Sequence, residues 1–137
     1  MDIIVTTPAA EHDHAREEGE WVEKHPEDYW FRTLKRRADV KVGDRVYYTD
    51  LGVITGYGVV FKVTYGPMED ESAAGKVWEG MNLCQRKWVW LDRTTTKVLM
   101  PGFQGFRYVD RIPGLRQRLE LAEQAIHRKH RGSSPEG

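Results

Sequence analysis

Hydrophobic and polar positions divide the chain into short alternating runs framed by two helical segments. Ile3-Ile4-Val5-Thr6 is β-branched and predicts a first strand. Thr7-Pro8 is a helix-start signal: a capping hydroxyl, then a proline whose missing N–H costs nothing at the first helical position. The Ala- and Glu-rich stretch to about Lys24 predicts a helix. Its apolar face is thin (Ala15, Trp21 and Val22), so it packs along one edge only. Tyr29 to Leu34 predicts a second strand. A Gly43-Asp44 turn leads into a strand over Arg45 to Thr49, and Asp50-Leu51-Gly52 turns into another over Val53 to Val63. Gly56 and Gly58 lie inside that strand, where glycine marks a bulge, a bend or a close backbone approach.

Residues 66–80 combine Gly, Pro, acidic and small residues and read as a long loop. Trp88 to Leu91 is the next strand, with Trp88 and Trp90 on one side of it. Val98-Leu99-Met100 extends the sheet. Residues 101–108 form an irregular aromatic segment punctuated by glycine. After Pro113-Gly114, residues Leu115, Leu119, Ala122 and Ile126 recur at helical spacing. The expected fold is one α+β domain over residues 1–131: a small curved β-sheet or partial β-barrel flanked by an N-terminal and a C-terminal helix. Residues 132–137 are expected to form a disordered tail.

Composition narrows the function classes. The 137 residues suit a single core. One cysteine, Cys84, allows neither an internal disulfide nor a cysteine-based zinc site. The first residues lack the basic start and apolar stretch of a signal peptide, and no apolar run reaches bilayer length. The expectation is a cytoplasmic protein with no membrane partner and no cofactor. Nucleotide-binding loops, dinucleotide fingerprints and nucleophile elbows are absent from the sequence. Net charge is zero, but the layout is uneven. Residues 9–28 are acidic apart from Arg16 and Lys24. Residues 32–45 are basic, and so is 111–131. A neutral total can therefore hide a basic face suited to a phosphate backbone, or the segments can simply pair with one another.

Val40-Lys41-Val42-Gly43-Asp44-Arg45-Val46-Tyr47-Tyr48, followed by the glycine-rich run from Gly52 to Val63, resembles the Gly-Asp turn and paired strands of the PUA-like superfamily. That group holds PUA, ASCH, EVE and YTH domains. Tyr29-Trp30-Phe31-Arg32 is similar to the aromatic strand of EVE domains. The resemblance covers roughly residues 29–65. It implies a PUA-like fold that binds RNA or DNA and holds a modified base in an aromatic pocket. The Gly-x-Lys-x-x-Glu-x-Arg motif of ASCH domains is missing. The ASCH members that deacylate modified cytidine use a Lys, a Thr and a Glu; Lys35 and Thr33 can be set against two of these only by forcing, no third partner is specified, and the resemblance does not carry that activity over.

The candidate ligand-binding residues are Trp30, Arg32, Thr33, Lys35, Trp88, Gln104, Arg107 and Tyr108. Trp30 and Trp88, with Trp90, can stack on a base or can supply core bulk. Glycines 102 and 105 let the backbone approach a ligand, Gln104 can read a base edge, and Arg107 can grip a phosphate. The alternative for this segment is a packed bulge. His12 and His14 are two apart, which is poor ligand geometry on a helix, so no metal site is expected. Two other function classes stay open. One is a small hydrolase of modified nucleosides using Lys35 and Thr33. The other is a non-catalytic interaction protein of phage or mobile-element origin, whose acidic helix docks a basic partner.

Overall fold

The computed structural model describes residues 1–7, 12–69 and 77–132. Six strands and two helices follow one another as β1 (Ile3–Thr6), α1 (His12–Lys24), β2 (Trp30–Leu34), β3 (Arg45–Asp50), β4 (Val53–Glu69), β5 (Val77–Trp90), β6 (Phe106–Tyr108) and α2 (Leu115–Gly132). Pro8 of the helix-start signal and the tail beyond Gly132 lie outside the described residues. The strands form one mixed sheet in the order β2-β5-β4-β3-β1-β6. Only β1 and β3 run parallel; every other pairing is antiparallel. The expected α+β class with two helices and a curved sheet agrees with this arrangement.

Two expectations need correction. Residues 66–80 are not a loop throughout, because β4 continues to Glu69 and β5 begins at Val77. Gly66 and Gly80 pair across this hairpin, both at positive φ, and a Cβ on Gly80 would run into the Leu34 carbonyl oxygen, so glycine here admits the backbone conformation and a close approach rather than ending the strands. The strand expected at Val98–Met100 is reduced to a single bridge between Val53 and Leu99.

Strand alternation sorts the core into two layers. Ile3, Val5, Val46, Val60, Leu83 and Phe106 share one face with Leu34, Ala38 and Val40. Ile4, Tyr47, Ile54 and Tyr57 occupy the other face and receive Leu115, Leu119 and Ala122 of α2. The helical stripe expected at Leu115, Leu119 and Ala122 is thus the docking face of α2. Arg45–Glu123 and Arg116–Asp2, both at 2.7 Å, tie α2 to β3 and to the start of β1.

The sheet is open in hydrogen bonding, yet it curls until side chains bridge its ends. Arg32 of β2 donates to the Thr6 carbonyl of β1 at 3.0 Å. Arg36 lies 4.9 Å over the Phe106 ring of β6, and the Asp39 amide donates to the Tyr108 hydroxyl at 2.8 Å. The concave face is therefore an interior.

Candidate functional site

A bulge decides what that interior presents. Val59 pairs with Arg86 and Tyr57 with Val89, so two residues of β5 (Lys87 and Trp88) oppose Gly58 alone. Lys87 takes the extra turn at φ 63°. The bulge shifts the alternation by one residue. Met81, Leu83 and Gln85 point inward before it, and Trp88 and Trp90 point inward after it. The inward tryptophans meet Trp30 from β2 and Tyr48 from β3.

Trp88 is the hub of this cluster. Its ring makes edge-to-face contacts with Trp90 (5.1 Å), Tyr48 (5.5 Å) and Trp30 (5.9 Å). Three glycines make the space. A Cβ on Gly58 would run into the Trp30 ring, and one on Gly56 into the Trp88 ring and the Val89 carbonyl. A Cβ on Gly19, the buried glycine of α1, would lie 2.8 Å from Trp90 and 3.3 Å from Trp88 Nε1. Gly19 and Val22 are the buried residues of α1, whereas Trp21 is 56% exposed. The helix thus seats on the tryptophans through a glycine, and the expected packing role of Trp21 is corrected. Trp21 instead stacks on His25 at 3.7 Å and donates to Asp28.

Polar groups thread the aromatic end. Trp30 Nε1 donates to the Tyr48 hydroxyl at 2.9 Å, which donates to Gln85 Oε1 at 2.8 Å; Gln85 Nε2 donates to the Leu83 carbonyl. Gln85 is fully buried. Burial pushes the Tyr48 phenol up to about 12, so it stays a neutral donor. The indole N–H groups of Trp88 and Trp90 are buried and have no hydrogen-bond partner among the described residues. Such donors are rare in folded proteins because each costs its desolvation energy.

Ion pairs hold α1 over this end. Arg16 of α1 binds Asp92 at 3.1 Å, and Arg93 binds Glu23 of α1 at 3.1 Å. Both guanidinium groups also lie over the Trp90 ring, at 5.2 and 4.7 Å. The acidic helix is anchored by exchanging charges with the loop after β5.

The eight sequence candidates fall in four places. Trp30 and Trp88 meet in the aromatic end, with Arg32 beside them on the same face of β2. Thr33 alternates to the opposite face, where its hydroxyl donates to Asn82 at 2.7 Å. Lys35 is exposed beyond the end of β2. Gln104, Arg107 and Tyr108 lie on or just before β6, the edge strand next to β1. The aromatic end and β6 are linked by register: Phe106, Val5, Tyr48, Gly56 and Trp90 form one continuous row across the sheet.

Around the β6 edge, three arginines rest on three rings: Arg36 on Phe106, Arg107 on Phe103 (5.2 Å) and Arg111 on Tyr108 (4.5 Å). None of them has a carboxylate partner among the described residues. Sequence reasoning reaches Arg107 but not Gly19, Tyr48 or Gln85. The last two gain meaning only from the register of β3 and β5.

Other features lack reactive arrangement. A groove of about 440 Å³ between β3 and α2 is lined by Arg45, Arg116 and Glu123, whose charges are engaged in ion pairs. Arg45 and Arg116, read from sequence as part of basic segments, therefore anchor α2. Cys84 is buried, which pushes its thiol pKa up. Among the described residues no group of His, Cys, Asp and Glu is placed to hold a metal, and no helix is long and apolar enough to cross a membrane. The chain matches no protein-family model, no curated protein and no solved structure.

Proposed function

We propose that this protein is a PUA-like nucleic-acid-binding module that takes a base, modified or not, at its aromatic end and phosphates along the β6 edge. The observation that carries the reading is the trio Arg36, Arg107 and Arg111. Each guanidinium is pre-oriented by an aromatic ring and has no carboxylate to neutralise it among the described residues. Pre-oriented arginines free of acidic partners suit phosphate oxygens, because the planar fork can bind two of them at once.

The aromatic end adds the second half. Two buried indole donors lack partners among the described residues, and Tyr48, hydrogen-bonded to Gln85, packs against the Trp88 ring. A base edge carries acceptors that would satisfy such donors, and its faces stack on tryptophan. The rings fill this end, so base entry requires α1 to lift from Trp88 and Trp90.

The test is fluorescence anisotropy with a panel of labelled single-stranded and duplex RNA and DNA at low salt, with and without modified bases. Binding to at least one single strand, weakened at least tenfold by Arg107→Glu, is the expected result. Absence of binding to every member of the panel removes the reading.

A further inference from the structure

A second concavity adjoins the aromatic end, between the loop after β5 and the middle of α2. Its volume is about 550 Å³, and Arg93, Thr94, Thr95, Thr96, Ala125 and Arg128 line it. We propose that this groove is a phosphate-binding site.

Its lining offers donors and positive charge without an acidic side chain. Arg128 is exposed and has no ion pair among the described residues. The Thr94 hydroxyl accepts the Thr96 amide at 3.2 Å and donates to the Thr96 carbonyl at 3.4 Å, which folds the loop back on itself. The hydroxyls of Thr95 and Thr96 keep no hydrogen-bond partner among the described residues, and both residues are exposed. Ala125 contributes a small floor, so the arginines reach over it rather than filling the groove.

Arg93 links the groove to the aromatic end. It lies over Trp90 and binds both carboxylate oxygens of Glu23 on α1, each at 3.1 Å. Inorganic phosphate or a phosphomonoester carries more charge than that carboxylate, a phosphodiester carries the same, and either presents oxygens to the Arg93 guanidinium. Phosphate in the groove would draw Arg93 from Glu23 and loosen an ion pair that holds α1 down.

The identity of the phosphate rests on the nucleic-acid reading above, in which a strand's phosphodiester follows a base seated at Trp90. The site itself does not depend on that reading, and the experiment separates the two. Inorganic phosphate is titrated into the ¹⁵N-labelled protein at constant ionic strength. Saturable shifts of the Thr94, Thr95 and Thr96 amides are expected. They should be lost in Arg128→Gln and kept in Arg118→Gln, an exposed control on the same helix. No shift, a shift unchanged in Arg128→Gln, or a drift shared by amides over the whole surface overturns the proposal.

A second titration identifies the source. If a strand's phosphate occupies the groove, Arg128→Gln reduces the salt slope of single-strand binding by about 0.7. If strand binding is unchanged while phosphate and a mononucleotide still shift the three threonines, a free phosphate or nucleotide is the ligand. Failure of all oligonucleotide binding would remove the nucleic-acid reading and leave the phosphate titration to decide the groove.

Discussion

Gly19→Ala gives the packing of α1 a prediction whose sign distinguishes a free helix from a seated one. In an unpacked helix the change stabilises by about 0.8–1 kcal/mol, because glycine loses more backbone entropy than alanine. Here the added methyl would lie 2.8 Å from two carbons of the Trp90 ring and 3.3 Å from Trp88 Nε1. Trp88 packs against three other rings and Trp90 against Trp88 and the guanidinium groups of Arg16 and Arg93, so neither retreats freely. Overpacking of this kind costs about 1–3 kcal/mol. The difference of the two effects is a net loss of about 1 kcal/mol, or roughly 3–5 °C in Tm for a chain of this size. Urea unfolding followed by tryptophan fluorescence reads it, with Glu20→Ala as the exposed control. A gain of about 1 kcal/mol in Gly19→Ala would refute the claim that α1 rests on the tryptophans.

Further outcomes follow from other parts of the fold. Leu51 is 69% exposed and sits at φ 51° in the two-residue turn between β3 and β4, so Leu51→Asn is expected to raise stability by about 0.5–1 kcal/mol in the same urea assay. Tyr48 and Tyr57 are both pushed up to about 12 by burial. Above pH 10 the unfolded chain loses these protons while the folded chain keeps them, so stability falls as pH rises from about 10 to about 12. Urea midpoints at pH 9 and pH 11.5, beside the tyrosinate absorbance titration, check this; a flat profile would contradict it. Cys84 should react with a thiol reagent only as fast as the chain opens, and added urea below the transition should speed the reaction.

Much of the architecture is legible in the sequence where local chemistry and tertiary packing agree. The β-branched run of β1, the Gly43-Asp44 turn into β3 and the stripe of α2 all appear where periodicity puts them. The first half of β5 is hidden for a physical reason. Its alternation at Met81, Leu83 and Gln85 changes phase at the Lys87 bulge, so no single period spans the strand. The long hairpin is masked by Gly66 and Gly80, which read as loop but sit paired within the strands at positive φ. At the site, Trp30 and Trp88 are legible as candidates because each lies on a strand that the sequence predicts. Gly19 is not, since its role depends on rings more than 60 positions away. Charge runs mislead in part: Arg45 and Arg116 look like phosphate ligands in sequence, and they fasten α2 through Glu123 and Asp2.

In the proposed function, arginines seated on rings around β6 bind a nucleic-acid backbone. The most direct test is the salt dependence of single-strand binding for the wild type and for Arg36→Glu/Arg107→Glu/Arg111→Glu. Three phosphate contacts predict that log K falls against log salt with a slope of about −2 in the wild type, and that the triple variant loses most of both slope and affinity. Wild-type binding that ignores salt, or a triple variant that binds as the wild type does, would contradict the claim.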